Sequence, residues 1–307
     1  MYQHRCHLFM FYVSHSTARL IRFDSVGVVI TEPVDLDKDS DKLFEFFWRI
    51  RNASDVELGL DPTATMLFRE LGVPNPNLDA LDCAISDEEL QKLSDTRPRT
   101  AILMAAAFRA SRWPLYKLQV PDKNDAKKNQ SFLVRNPSMC DFATSGRLTT
   151  GYIAFYVEGK SFCFLKDYWR PDSPKILSEL SIYKILERHN IPGIATVLCG
   201  GDLVVHHDKH GVPVYQHSRT QELPTAESQL RRIHTRIVLR EVGIPLEQYF
   251  TGQELCIVLL FGFNGECLVL IADCDIRLIA YRISTLGSVR EGRDLASRYQ
   301  RLEHSHS

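Results

Sequence analysis

The sequence predicts an α+β fold, rich in antiparallel strands and carrying a few helices. Three observations lead there. Tyr152 to Val157 and Ser161 to Leu165 are dense in aromatic and β-branched residues on either side of Glu158-Gly159-Lys160, the pattern of a hairpin. His7 to Val13, Ala18 to Phe23 and Val28 to Ile30 form three further strand-like runs, parted by SHST and DSVG, and read as a meander. Segments with helical spacing stand between them, at Ser40 to about Asn52 and again after Ser173-Pro174.

Taken in order, the meander comes first. The helix from Ser40 follows, with Leu43, Phe44, Phe47 and Ile50 on one side as its core face. Ser54 with Glu57, and Ser86 with Glu89, match the capping-box spacing. PNPNLD from Pro74 is a turn. Residues 101–118 are apolar and read as a strand with its flanking loop. PDKNDAKKNQ from Pro121 is polar and lysine-rich, a solvated loop. A domain boundary is expected near Cys140, dividing the chain into 1–140, 141–250 and 251–307.

The stretch from Gly146 to Glu179 holds the candidate chemistry. Lys166 closes the second strand of the hairpin. Ser173 as cap and Pro174 at the first helical position start a helix that runs to about His189. On that helix Glu179 shares a face with Ile176, Ile182, Tyr183 and Leu186. A carboxylate among apolar neighbours calls for a cation, and Lys166 is the candidate. Beyond it, Ile194 to Leu198 and Leu203 to Val205 read as short strands on either side of CGGD. His206, His207, His210 and His217 then crowd one segment. His206 and His210 would make a metal pair on a helix, but the glycine and prolines there favour a solvated hairpin tip.

Composition narrows the class. A hydrophobic fraction of 44% and a charged fraction of 24% are those of a globular protein. A net charge of −1 gives no electrostatic case for nucleic acid or an anionic membrane. The eight cysteines include no CxxC pair and lie mostly in apolar runs, as buried reduced thiols do. With no signal peptide and no apolar run long enough to span a bilayer, an intracellular protein is expected.

GRLTTGY, FLKDYWR, SELSIYKILE, IPGIATVLCGGD and TRIVLREVGIPL follow one another as in the fungal-type protein kinase domain, a divergent branch of the kinase-like fold. TARLIRFDSVGVVITEPVD and SDVELGLDPT resemble the same family, and the resemblance covers most of Leu8 to Leu255. It implies a family-specific N-terminal extension followed by a kinase N-lobe, an antiparallel sheet with one helix. Lys166 would hold nucleotide phosphates and Glu179 would hold Lys166. Gly146 and Gly151 stand where the family has its glycine turn, although the full GxGxxG is absent. Glu241, Val242 and Gly243 occupy the linker whose backbone meets the adenine edge. ATP with magnesium is the cofactor implied.

From Thr251 the resemblance fails, and the C-lobe is expected to be cut short. Two apolar runs flank Asn264-Gly265, a hairpin signal where helices should stand. GRDLASRY offers Asp294 as a base, but Gly292 replaces the histidine and Tyr299 the metal-binding asparagine. No DFG follows. The sequence leaves two classes of function open. One is an active kinase acting on hydroxyls. The other is a non-catalytic module, a pseudokinase that binds ATP weakly or a protein that meets a protein partner at residues 251–307.

Overall fold

A computed structural model describes residues 3–67, 75–86, 98–109, 113–125, 128–140, 147–191, 193–223, 230–245, 248–253, 255–256 and 259. The architecture is α+β and strand-rich with few helices. The chain divides into two compact units, one of residues 1–180 and 195–244, the other of residues 181–194 and 245–307.

The first unit opens with the predicted meander. β1 (His7–Ser14), β2 (Thr17–Asp24) and β3 (Val28–Ile30) pair antiparallel, and β4 (Val34–Asp35) joins β2. Helix α1 (Ser40–Asn52) covers one face, where Leu43 packs with Ala18 and Val34. Its buried side differs from the expected one. Phe44 is 78% exposed, whereas Phe46, which the spacing left out, meets Phe9 edge-on. Ser54 and Glu57 form the reciprocal bonds of a capping box, yet only a turn follows. The box predicted at Ser86 extends into residues outside the described ones.

The second sheet has eight strands. Its order is β11 (Val197–Asp202), β14 (Arg232–Leu239), β10 (Ser161–Pro171), β9 (Thr150–Tyr156), β7 (Asn129–Val134), β6 (Leu115–Pro121), β5 (Ala64–Leu67), with β8 (Pro137–Cys140) also on β9. Strands on both sides of Cys140, where the boundary was expected, thus belong to one hydrogen-bonded sheet.

Both faces of this sheet are covered, and period-two alternation assigns side chains to each. Leu118, Val120, Phe132, Tyr152, Ala154, Cys163, Leu165, Cys199 and Val238 form the core on one face. Leu115, Leu133, Ile153 and Phe155 form the other, under α2 (Pro76–Ala84) and α3 (Pro98–Phe108). Helix α3 stands where the sequence reading placed a strand with its loop. The run LMAAAF has high helix propensity, and Met104, Ala107 and Phe108 are buried against the sheet. Cys163 and Cys199 are buried as expected of structural thiols, while Cys83 and Cys256 are exposed.

Three local expectations need correction. CGGD lies inside β11 rather than between strands, and a Cβ at Gly200 would meet the Arg236 carbonyl oxygen at 2.9 Å. Lys166 sits within β10, not at its end, because β14 pairs with β10 through Pro171. The helix predicted from Pro174 begins only at Glu179, as α4 (Glu179–Arg188). Ser173 closes a turn instead, accepting Lys175 N at its hydroxyl and Ile176 N at its carbonyl. Ile176 is therefore off the helix. In the second unit Leu186 of α4 packs with Ile182, Ile185, Ile191 and Ile194.

His206 lies in β12 (Val204–His207) and His210 in the turn leading to β13 (Pro213–Tyr215), so the two do not share a helix. Among the described residues no helix is long and apolar enough to cross a membrane.

Candidate functional site

On the sheet face that carries Phe162 and Phe164, β10 also presents Lys166, Tyr168 and Arg170. Lys166 stands in register between Gly151 of β9 and Ile237 of β14, so its backbone is held in the middle of three strands. Its Nζ donates to both oxygens of Glu179, at 2.8 and 2.9 Å. The side chains are 17% and 15% exposed, so the pair is largely withdrawn from water. Glu179 stands in the first turn of α4, where a carboxylate complements the helix dipole. The cation demanded by the carboxylate is thus supplied, although the helix starts five residues later than the sequence suggested.

A second cation reaches the same carboxylate. Arg147 Nη2 donates to Glu179 Oε2 at 3.1 Å. Its guanidinium lies 5.0 Å from the centre of the Tyr168 ring, and Lys166 Nζ lies 5.1 Å from it. Tyr168 is 1% exposed, and burial, followed by the Glu179 charge, pushes its phenol well above the usual range. The hydroxyl has no partner among the described residues, and neither does the buried Nε of Arg147. The backbone holds Arg147 in place through its carbonyl, which accepts Trp169 N at 2.7 Å. Leu148, next in the chain, has φ +46°, a left-handed conformation unusual for leucine. Farther along the face, Arg170 makes a bidentate pair with Asp202, which also accepts from Thr235.

The remaining predicted residues fall as follows. Gly146 lies outside the described residues, as do Asp294 and Tyr299. Gly151 lies within β9, not in a turn, and its lack of a side chain admits the Phe164 ring, whose Cζ would stand 2.7 Å from a Cβ. Glu241, Val242 and Gly243 follow β14 after Arg240. The Glu241 carboxylate accepts Thr196 N at 2.7 Å. Burial pushes that carboxyl up, and its bonds with Thr196 outweigh this and hold it low. Val242 packs against the core of the α2 and α3 face, and a Cβ at Gly243 would meet open space. Arg147 and Tyr168 were missed by the sequence reading. The signal was there: Arg147 adjoins Gly146, and Tyr168 is two residues from Lys166 and so on its face.

The opposite face of the sheet carries a buried polar network that the sequence did not reveal. Arg236, fully buried, donates to Asp61 and Asp167 and, through Nη1, to Thr63 at 2.7 Å and the Gln119 carbonyl at 3.1 Å. His234 Nε2 faces Asp167 and Nδ1 faces Gln216 Oε1, while Gln216 Nε2 donates to Asp61 at 2.8 Å. His234 also stacks on Trp169. Burial alone would push both carboxyls up. Arg236 and His234 overcome it and hold them far below the usual carboxylate range.

A sheet lysine bonded to a helix glutamate, on a strand-rich α+β domain, is consistent with a kinase-like class. The family model for fungal protein kinase matches residues 2–265, and the chain belongs to that family. No curated protein and no solved structure matches the chain. Among the described residues no group of three or more His, Cys, Asp or Glu is arranged to hold a metal ion.

Proposed function

We propose that this chain is a kinase-family domain that binds ATP weakly and does not transfer phosphate. The observation that carries the reading is the Lys166–Glu179 pair, made at 2.8 and 2.9 Å on a sheet face in a member of the kinase family. A lysine so held offers a fixed positive charge to phosphate oxygens, and positioned charge is most of what phosphoryl transfer requires of a protein. Gly146 and Gly151 would lie on the phosphate side, and the backbone of Glu241 to Gly243 would meet adenine. Magnesium, when bound with ATP, offsets charge on the phosphates. The residues around Asp294 depart from the catalytic-loop pattern at Gly292 and Tyr299, which supports binding without transfer.

Calorimetry with ATP tests the binding, and Lys166→Met should abolish it. The variant should fold, because Arg147 still neutralises Glu179. Absence of ATP binding by the parent chain would refute the reading. Magnesium-dependent transfer of labelled phosphate to a general acceptor, lost in Lys166→Met and Asp294→Asn, would restore an active kinase in its place.

A further inference from the structure

We propose that Arg147 and Lys166 act together as a two-cation clamp that takes the polyphosphate chain of a nucleotide without requiring a divalent ion. The inference rests on the nucleotide reading above and specifies how that site is charged. Two cations meet one carboxylate: Arg147 and Lys166 each contribute +1 and Glu179 −1, a surplus of one positive charge. Arg170 with Asp202, farther along the face, is already neutral, and Arg232, which feels the Arg147 charge, adds to the surplus. Lys166 is 17% and Arg147 30% exposed, so the surplus charge is partly withdrawn from water, and an anion offsets the cost of that.

The geometry suits a phosphate chain rather than a single point charge. Both cations donate to the same oxygen, Glu179 Oε2, at 3.1 and 2.9 Å, which sets them side by side, and they lie 5.0 and 5.1 Å from the centre of the Tyr168 ring. The guanidinium offers a planar fork that matches phosphate oxygens, and lysine offers a point charge beside it. Two donors at the site lack partners among the described residues. One is the buried Nε of Arg147 and the other is the hydroxyl of Tyr168, a residue 1% exposed. The Arg147 carbonyl bond to Trp169 N ties the Arg147 backbone to the strand that carries Lys166, and the shared Glu179 carboxylate links the two side chains. In an ordinary kinase site the charge of the phosphates is largely offset by metal. Here a fixed guanidinium supplies part of that offset.

Calorimetry on the full chain, with ATP in EDTA and in excess magnesium, tests the proposal. ATP should bind in EDTA no more than about threefold weaker than in magnesium. Arg147→Met should weaken binding in EDTA about tenfold, the loss of one charge-assisted contact. Arg147→Lys should recover part of that loss, because it restores the charge without the fork. Inorganic tripolyphosphate should compete with ATP in EDTA, because it presents the phosphates alone. Binding seen only with magnesium, binding indifferent to Arg147→Met, or failure of tripolyphosphate to compete would each overturn the clamp while leaving the ATP reading standing. No binding in either condition would overturn both. The comparison of EDTA with magnesium uses the parent chain alone, so it decides the matter even if a variant fails to fold.

Discussion

Among the described residues Arg236 is the largest side chain with no exposure at all, and its charge is offset by Asp61 and Asp167. Breaking a buried pair by removing one partner leaves the other uncompensated, which costs about 3–5 kcal/mol. Asp61→Ala should therefore lower stability by about that amount in chemical denaturation, and a loss below about 1 kcal/mol would contradict the network. The same cluster makes stability depend on pH. Burial, opposed by the charge of Asp167, lowers His4 to about 4. Its unfolded value is near 6.5, so on acidification the unfolded chain takes up the proton first. The stability contributed by neutral His4 is complete above about pH 6.5 and is lost as pH falls toward 4. Asp61 and Asp167 are depressed carboxyls, and their contribution is present above about pH 4 and lost below it. His4→Gln should reduce the slope of stability between pH 6.5 and 4 while leaving the steeper fall below it. His7 and His217, also lowered, account for slope that remains. None of this is legible in the sequence. Asp61 and Thr63 lie in the family motif SDVELGLDPT and Arg236 in TRIVLREVGIPL, but 175 positions separate Asp61 from Arg236, and pattern alone does not join them.

Strands were legible because their signal is local. The meander and the hairpin before Lys166 follow from β-branched and aromatic runs between turn residues. Helix ends were not legible where a turn uses the same residues as a cap. Ser173-Pro174 has the composition of a helix start, and its hydrogen bonds close a turn five residues short of α4. The Lys166–Glu179 pair survived that error because Ile182, Tyr183 and Leu186 stay on α4 with Glu179, and only Ile176 drops from its face. Two glycines show how position decides cost. Gly59 has φ +88°, its carbonyl accepts Cys6 N at 2.8 Å, and a Cβ there would lie 2.2 Å from the His7 carbonyl oxygen. Gly59→Ala should cost at least about 2 kcal/mol and loosen the start of β1. Gly243→Ala should change stability by less than about 0.5 kcal/mol, since its Cβ enters open space. Paired thermal melts of the two variants check this, and equal shifts would contradict it.

At the scale of the first unit, the N-terminal meander is tied to the eight-stranded sheet by polar bonds more than by apolar packing. Cys6 Sγ donates to Gln216 Oε1 at 3.2 Å, and His4 lies against Asp167 and edge-on to Tyr116. Asp24 makes the most concentrated tie. One carboxylate oxygen accepts Val26 N and Gly27 N within its own turn, and the other accepts Arg219 N and Thr220 N, both at 2.9 Å. Asp24 is 6% exposed, so removing it strands two backbone donors of the segment that leads into β14. A buried donor left without a partner costs about 1–3 kcal/mol. With Asp24 in place, β1 and β2 should open together with β10 and β14, and their amides should show similar protection in native-state hydrogen exchange. Asp24→Ala should separate the two. Protection in β1 and β2 should fall at least about tenfold, because the meander can then open without the larger sheet, whereas β10 and β14 should change far less. The meander's own core, Ala18 with Val34 and Leu43, is small and would not hold it closed for long by itself. If β1 and β2 of the parent chain already exchange much faster than β10 and β14, or if Asp24→Ala weakens both regions equally, the polar ties are not what couples them.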